Sequence, residues 1–188
     1  MNAEIVNIVA MTNLYHKIDL KDVYGLAPAN HAYFKLDNGY NAKHFKRVVW
    51  LYKNVKLAFF KSGKILCFGA KTVNQAKTIL KKIYDALMFN GFIINTPFNF
   101  KVVNIVAKVS LKRYVNLENL ALKLDKCIYE PEQYAGLIYK HGKATFLIFA
   151  NGEAIITGLK NEDEVEPYVN ELIKIIDSIE TSEVKCLV

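Results

Sequence analysis

Asn7 and Asn104 are the polar residues whose placement demands a reason. Each is second in an identical run, Val6-Asn7-Ile8-Val9-Ala10 and Val103-Asn104-Ile105-Val106-Ala107, and the two runs lie 97 residues apart. Their neighbours are apolar and β-branched, as a strand requires, whereas Asn is disfavoured in strands. An amide set twice at the same place is there for its side chain, which offers two donors and an acceptor. The more reactive residue types give no comparable pattern. His16, His31, His44 and His141 have neither metal-ligand spacing nor a nucleophile beside them. Cys67, Cys127 and Cys186 are far apart, form no CxxC, and are expected to be reduced thiols of an intracellular protein. Lys61-Ser62-Gly63-Lys64 lacks the upstream glycine of a phosphate loop. The chain therefore reads as a binding protein with no metal, no cofactor and no enzymatic activity.

The elements that must position the two amides are themselves repeated. Leu14 and Leu20 return as Leu111 and Leu117 at the same offset of 97. Gly63 and Gly69 return as Gly152 and Gly158 at an offset of 89, so the first half holds eight extra residues, placed within 24–39. The organisation is a tandem duplication, 1–95 and 96–188. In the first half, strands are expected at 4–12, 45–52, 55–61 and 64–70. A short helix is expected over 19–26, and 30–41 is irregular or a strand. Val73, Ala76, Ile79, Leu80, Ile83 and Leu87 mark one face of a long helix over 72–89. The second half predicts strands at 100–109, 134–140, 145–150 and 154–157, a short helix over 116–122, and a long one after Asn161. Pro167 must lie in the first turn of that helix or kink it.

Charge is unequally shared. Of the net +7, residues 1–95 carry +9 and residues 96–188 carry −2. The first half is suited to a polyanion, and the second could also face a basic protein. No apolar run reaches the roughly 18 residues that span a bilayer, and no signal-peptide pattern opens the chain.

The central strands, Leu57-Ala58-Phe59-Phe60 and Phe146-Leu147-Ile148-Phe149, are apolar on both faces. One long and one short helix per half can cover only one of them. The other face, carrying Asn7, Val9, Phe60, Leu66, Asn104, Val106, Phe149 and Ile155, is left as a broad apolar patch, which suits a binding surface. Self-association or a second sheet would cover it equally well.

The VNIVA runs, GYNAKHF at 39–45, LAFFKSGKILCFGAK, YEPEQYAGLIY and FLIFANGEAIITGLK together resemble the core of the TATA-box-binding protein family, over residues 4 to about 180. The resemblance implies an α+β saddle, a tandem pseudo-two-fold repeat in which a curved, ten-stranded antiparallel sheet carries four helices on its convex face. It implies a general initiation factor that binds and bends A·T-rich promoter DNA through the minor groove. Recruitment of a TFIIB-like factor and RNA polymerase follows from the same resemblance. Such a protein works in a nucleus, an archaeal cytoplasm or a viral factory, according to its origin.

Carried over residue by residue, the family's central asparagines fall on Asn7 and Asn104. Its groove-lining valines fall on Val9, Val106, Leu66 and Ile155, and its kinking phenylalanines on Phe45, Phe60, Tyr134 and Phe149. Phosphate-facing positions fall on Lys53, Lys64, Lys71, Lys140 and Lys160. The acidic loop that meets TFIIB falls on Glu130 and Glu132. The chemistry agrees, because the minor groove over A·T pairs shows only acceptors, whereas G·C adds an amino donor. Aromatic wedges that unstack base steps kink the duplex, a strategy for which this family is itself the model case.

Several positions depart from the family. Tyr134 replaces a wedge Phe, and Phe68 stands where a Thr assists the central Asn, while Thr157 is kept. Glu153 replaces a hairpin Lys and is expected to repel phosphate. The extra residues lie near the site at which the family meets TFIIA. A scaffold of the same fold that recruits transcription proteins with weak or non-TATA DNA binding is the alternative function.

Overall fold

Alternation along the strands decides which side of each sheet becomes core. The computed structural model describes residues 3–27, 32–36 and 45–184, with the side chains of 32–36, 45–46 and 182–184 outside the description. The chain forms two units, one of Asn7–Val103 and the other of the residues up to Val6 together with those from Asn104 onwards. They are called the first and second unit below.

The first unit contains β1 (Glu4–Asn13, from Asn7), α1 (Leu20–Gly25), β2 (Ala32–Leu36), β3 (Phe45–Tyr52), β4 (Val55–Phe60), β5 (Lys64–Ala70) and α2 (Val73–Phe89). Its strands lie in the order β2-β3-β4-β5-β1, with antiparallel neighbours throughout. The second unit contains β6 (Lys101–Ser110, from Asn104), α3 (Leu117–Lys123), β7 (Cys127–Ile128), β8 (Gly136–His141), β9 (Ala144–Phe149), β10 (Glu153–Leu159) and α4 (Val165–Val184). Its order, β6-β10-β9-β8-β7, repeats the first, again antiparallel.

On one face of each sheet the side chains are fully enclosed. Ile8, Leu57, Phe59, Ile65 and Cys67 meet Leu80 and Leu87 of α2 in the core of the first unit. Ile105, Phe146, Ile148 and Ile156 share the second core with Val169, Leu172 and Ile176 of α4. Each such large side chain contributes about 1.5–3 kcal/mol on burial. The helices start where the sequence says they should. Thr72 caps α2 by accepting from Gln75 N at 3.1 Å, and Gln75 Oε1 accepts from Lys71 N at 2.8 Å. Asn116 caps α3 through Asn119 N at 3.0 Å. Asn161 opens a 3-10 turn over Glu162–Glu164, and α4 begins only at Val165, with Pro167 in its first turn.

The two hairpin glycines do the same work. Gly63 and Gly152 have φ of 83° and 82°, and a Cβ on either would overlap the carbonyl oxygen of His16 or Arg113. Leu14 N bonds to Gly63 O at 3.0 Å, and Leu111 N to Gly152 O at 2.8 Å. Three elements differ from expectation. β2 occupies part of the segment left open between strand and irregular chain, and the two-residue β7 has no signature in sequence. β8 starts at Gly136, because Tyr134 closes a turn by bonding to Glu130 O at 2.9 Å. The expected turn at 37–39, His31, His44 and Cys186 lie outside the described residues, as do 28–31 of the stretch that holds the eight-residue surplus.

Burial in the first core pushes the Cys67 thiol up to about 11 from its ordinary value of 9.0. The neutral thiol is the form the fold accepts, so this contribution to stability is intact below about pH 9 and is lost as pH rises towards 11. Cys67 is expected to resist alkylation in the native protein at pH 8 while half-exposed Cys127 reacts, with both labelled in urea, as peptide mass spectrometry will read.

Candidate nucleic-acid interface

The faces opposite the two cores are built from residues in register, most of them half-exposed or exposed, with Ala58 and Val49 buried among their neighbours. In the first unit Met11 pairs with Leu66, Leu66 with Ala58, and Ala58 with Val49, so the four share one face. Phe68, Lys56 and Leu51 form the adjoining row, and Phe60 stands opposite Arg47. In the second unit the matching rows are Lys108, Ile155, Leu147 and Ile138, then Thr157, Thr145 and Lys140, with Phe149 opposite Gly136. No helix of the described residues lies on these faces, where Val9, Phe60, Leu66, Phe68, Val106, Leu147, Phe149 and Ile155 are all half-buried.

Each asparagine stands where its strand meets an irregularity. The β1–β5 register shifts between Ile8 and Ala10, and the β6–β10 register between Ile156 and Leu159. Gly69 N donates to Asn7 Oδ1 at 2.7 Å, and Gly158 N donates to Asn104 Oδ1 at 2.8 Å. A backbone N–H demands an acceptor, which fixes the orientation of both amides, with oxygen towards the glycine. Beyond that point the units differ. Asn104 Nδ2 donates to Thr157 Oγ1 at 2.9 Å, and the Thr157 hydroxyl lies 3.2 Å from Asn104 Oδ1. Phe68 occupies the place of Thr157 in the first unit, and among the described residues nothing accepts from Asn7 Nδ2.

The aromatic pair of the second unit depends on a glycine. Tyr134 and Phe149 meet edge-on, with centroids 6.1 Å apart. A Cβ at Gly136 would come within 2.8 Å of the Tyr134 ring and 3.0 Å of the Phe149 ring. Tyr134 remains 43% exposed, so its hydroxyl has access to water. Phe45 opens β3, but its side chain lies outside the described residues.

Charge on these faces is arranged differently from what the sequence suggested. Glu153 accepts an ion-pair contact from Lys108 at 2.8 Å. The hydrogen bond and charge of Glu153 raise the Lys108 amine above its usual range, and hydrogen bonds from Lys108 and Ser110 hold the Glu153 carboxyl below the carboxylate range. The expected repulsion from Glu153 is thus offset within the same face, by a lysine that sequence reading passed over. Lys108 follows Val106 by two residues on the same side of β6, and that alternation was the available signal. Lys53, Lys64, Lys71, Lys140 and Lys160 are all exposed, with Lys53 in the β3–β4 turn at a φ of 51°. Glu130 and Glu132 are exposed on the turn that ends at Tyr134.

Comparison with known proteins decides the family. A family model described as "Transcription factor TFIID (or TATA-binding protein, TBP)" matches residues 2–88 and 99–179. The chain belongs to the TATA-binding protein family. Among its relatives, the TATA-box-binding protein of Aeropyrum pernix is 36% identical over 175 residues, covering 91% of this chain and 82% of that protein. The one from Methanocaldococcus jannaschii is 36% identical over 182 residues, covering 94% and 92%. A solved structure described as Methanococcus jannaschii TBP superposes with a TM-score of 0.77 at 31% identity, over 95% of this chain and 99% of that one. The α+β fold and tandem repeat expected from the resemblance are those of this TATA-binding protein.

The asparagine geometry makes a test of its own. Asn7→Ala leaves Gly69 N–H without its acceptor and should destabilise the protein by about 0.5–1.5 kcal/mol in urea unfolding, with the fold retained by circular dichroism.

Proposed function

We propose that the protein is a general transcription initiation factor that binds A·T-rich duplex DNA in the minor groove and bends it. The observation that carries this reading is the open face of each unit, apolar, set with an oriented amide and edged by large aromatics. Apolar side chains and amide donors suit a groove floor of acceptors and are incompatible with the exocyclic amino group of guanine. Asn7, Val9, Leu66 and Phe68 would meet the floor from the first unit, and Asn104, Val106, Ile155 and Thr157 from the second. Phe60 and Phe149, with Phe45 and Tyr134, act as the wedges. Lys53, Lys64, Lys71, Lys140 and Lys160 take phosphates. Glu130 and Glu132 present the TFIIB-like factor with an acidic loop, RNA polymerase follows through that factor, and a TFIIA-like factor meets the first unit near the surplus residues. The protein catalyses no reaction in this role. Its named relatives are archaeal, which supports an archaeal-type cytoplasmic setting over a nucleus.

The scaffold alternative draws support from Glu153, an acid on the face that would meet DNA. Its pairing with Lys108 removes most of that objection. The two functions separate in one experiment. Fluorescence energy transfer between the ends of an A·T-rich duplex should rise on binding, and a G·C-rich duplex of equal length should show neither binding nor transfer. Phe60→Ala and Phe149→Ala should each reduce the change, and tight binding with constant end-to-end distance would exclude bending.

Reversing both acids of the loop, Glu130→Lys with Glu132→Lys, should leave duplex affinity within about twofold and abolish the ternary complex with a TFIIB-like factor in a gel shift. Electrostatic contacts of this kind at a rim set partner choice more than stability. An unchanged ternary complex would remove the loop from the partner surface.

A further inference from the structure

Arg47 has no role in the reading above, yet it occupies a distinctive place in the first unit. It lies on β3 directly opposite Phe60 of β4. Val48 and Phe59, the next pair in register, are both fully buried against the core. Alternation therefore puts Arg47 and Phe60 on the open face, and both are half-buried there. Among the described residues no carboxylate pairs with the guanidinium. β3 is an interior strand, flanked by β2 and β4, so the charge emerges from within the sheet and not from its rim.

The second unit shows what the same position can hold instead. Gly136 stands opposite Phe149 as Arg47 stands opposite Phe60. There the missing Cβ is what admits the rings of Tyr134 and Phe149. The first unit replaces that gap with the longest cationic side chain available, beside an aromatic of the same kind.

We propose that Arg47 reads the floor of the minor groove next to Phe60, discriminating against guanine at the base step beneath it. A guanidinium has five donors and no acceptor. Adenine N3 and thymine O2 accept from it, whereas the guanine amino group, itself a donor, is opposed to it. The second unit has a glycine at the equivalent position and lacks this contact, so the two units discriminate unequally. The inference rests on the minor-groove function proposed above.

The test replaces adenine with 2,6-diaminopurine, one position at a time, in an A·T-rich duplex. This base pairs with thymine and adds only the amino group that guanine shows in the minor groove. Dissociation constants are measured by fluorescence anisotropy at several salt concentrations for the wild type, Arg47→Met and Arg47→Lys. The wild type should lose affinity wherever the apolar floor meets the added amino group, and about five- to hundredfold at the one or two adjacent positions beneath Arg47. Arg47→Met, which keeps length without charge, should abolish that local penalty and bind the unmodified duplex more weakly. Arg47→Lys keeps the charge but loses the planar fork, and should shrink the penalty whether or not the Met variant folds.

A pure phosphate contact gives a different result. Arg47→Met would then weaken all duplexes equally and reduce the salt slope by about one, and Arg47→Lys would leave the penalty profile intact. That outcome overturns the proposal, as does a profile indifferent to both substitutions. A wild type that binds A·T-rich and G·C-rich duplexes equally overturns the underlying function instead, and is seen before any variant is made.

Discussion

A strand that breaks register leaves a backbone N–H without its ladder partner, and that donor calls for another acceptor. Both units meet the problem at the same place, at Gly69 and at Gly158, and answer it with an asparagine oxygen from the neighbouring strand. The answer has a second effect. Once the oxygen is committed to the glycine, the amide nitrogen is aimed along the open face with no freedom to flip. A structural need of the sheet thus fixes the orientation of both amides, and under the function proposed above it would preset a recognition group. Rigid donors lose less entropy on binding than donors held on loops.

From this shared arrangement the units diverge. The second satisfies its amide with Thr157, seats its aromatics over Gly136, and pairs Lys108 with Glu153. The first leaves Asn7 Nδ2 unclaimed among the described residues, places Phe68 beside it, and sets Arg47 across from Phe60. Duplication supplied two equal frames, and substitution at a few open-face positions made them chemically unlike. The cores were not free to diverge in the same way. At the offset of 89, Leu57 and Phe59 answer to Phe146 and Ile148, so the phenylalanine changes place but each enclosed pair keeps one aromatic and one aliphatic side chain, because packing fixes the volume.

Much of the fold was legible in the sequence because the repeat is local and literal. The VNIVA runs placed β1 and β6, the offset of 89 placed both hairpins, and the periodicity over 72–89 gave α2 nearly residue for residue. The start of β8 was misplaced because Tyr134 is itself a strand-favouring residue two places before Gly136, and only the bond to Glu130 O shows that it belongs to a turn. β7 is two residues long and exists through its pairing with β8, which no local pattern announces. In the candidate site, Val9, Phe60, Leu66, Val106, Phe149 and Ile155 followed from alternation, whereas Phe45 and Tyr134 came only from the resemblance. The Lys108–Glu153 pair did not, since 45 residues separate its members and register alone unites them. Arg47 was within reach: the offset of 89 that matches Phe45 with Tyr134 also matches Arg47 with Gly136.

The Lys108–Glu153 pair also bears on what the second unit exchanges with its surroundings. A bare lysine gathers small anions from solution, and a DNA phosphate gathers small cations; bringing the two together liberates both, and that entropy drives association. Lys108 instead carries its anion as part of the chain, so there is nothing to liberate at that point. The first unit has Met11 at the equivalent place and an exposed Lys64 where the second has Glu153. At this pair of equivalent positions, dissolved ions would therefore act on Lys64 of the first unit and find the charge of Lys108 in the second already answered.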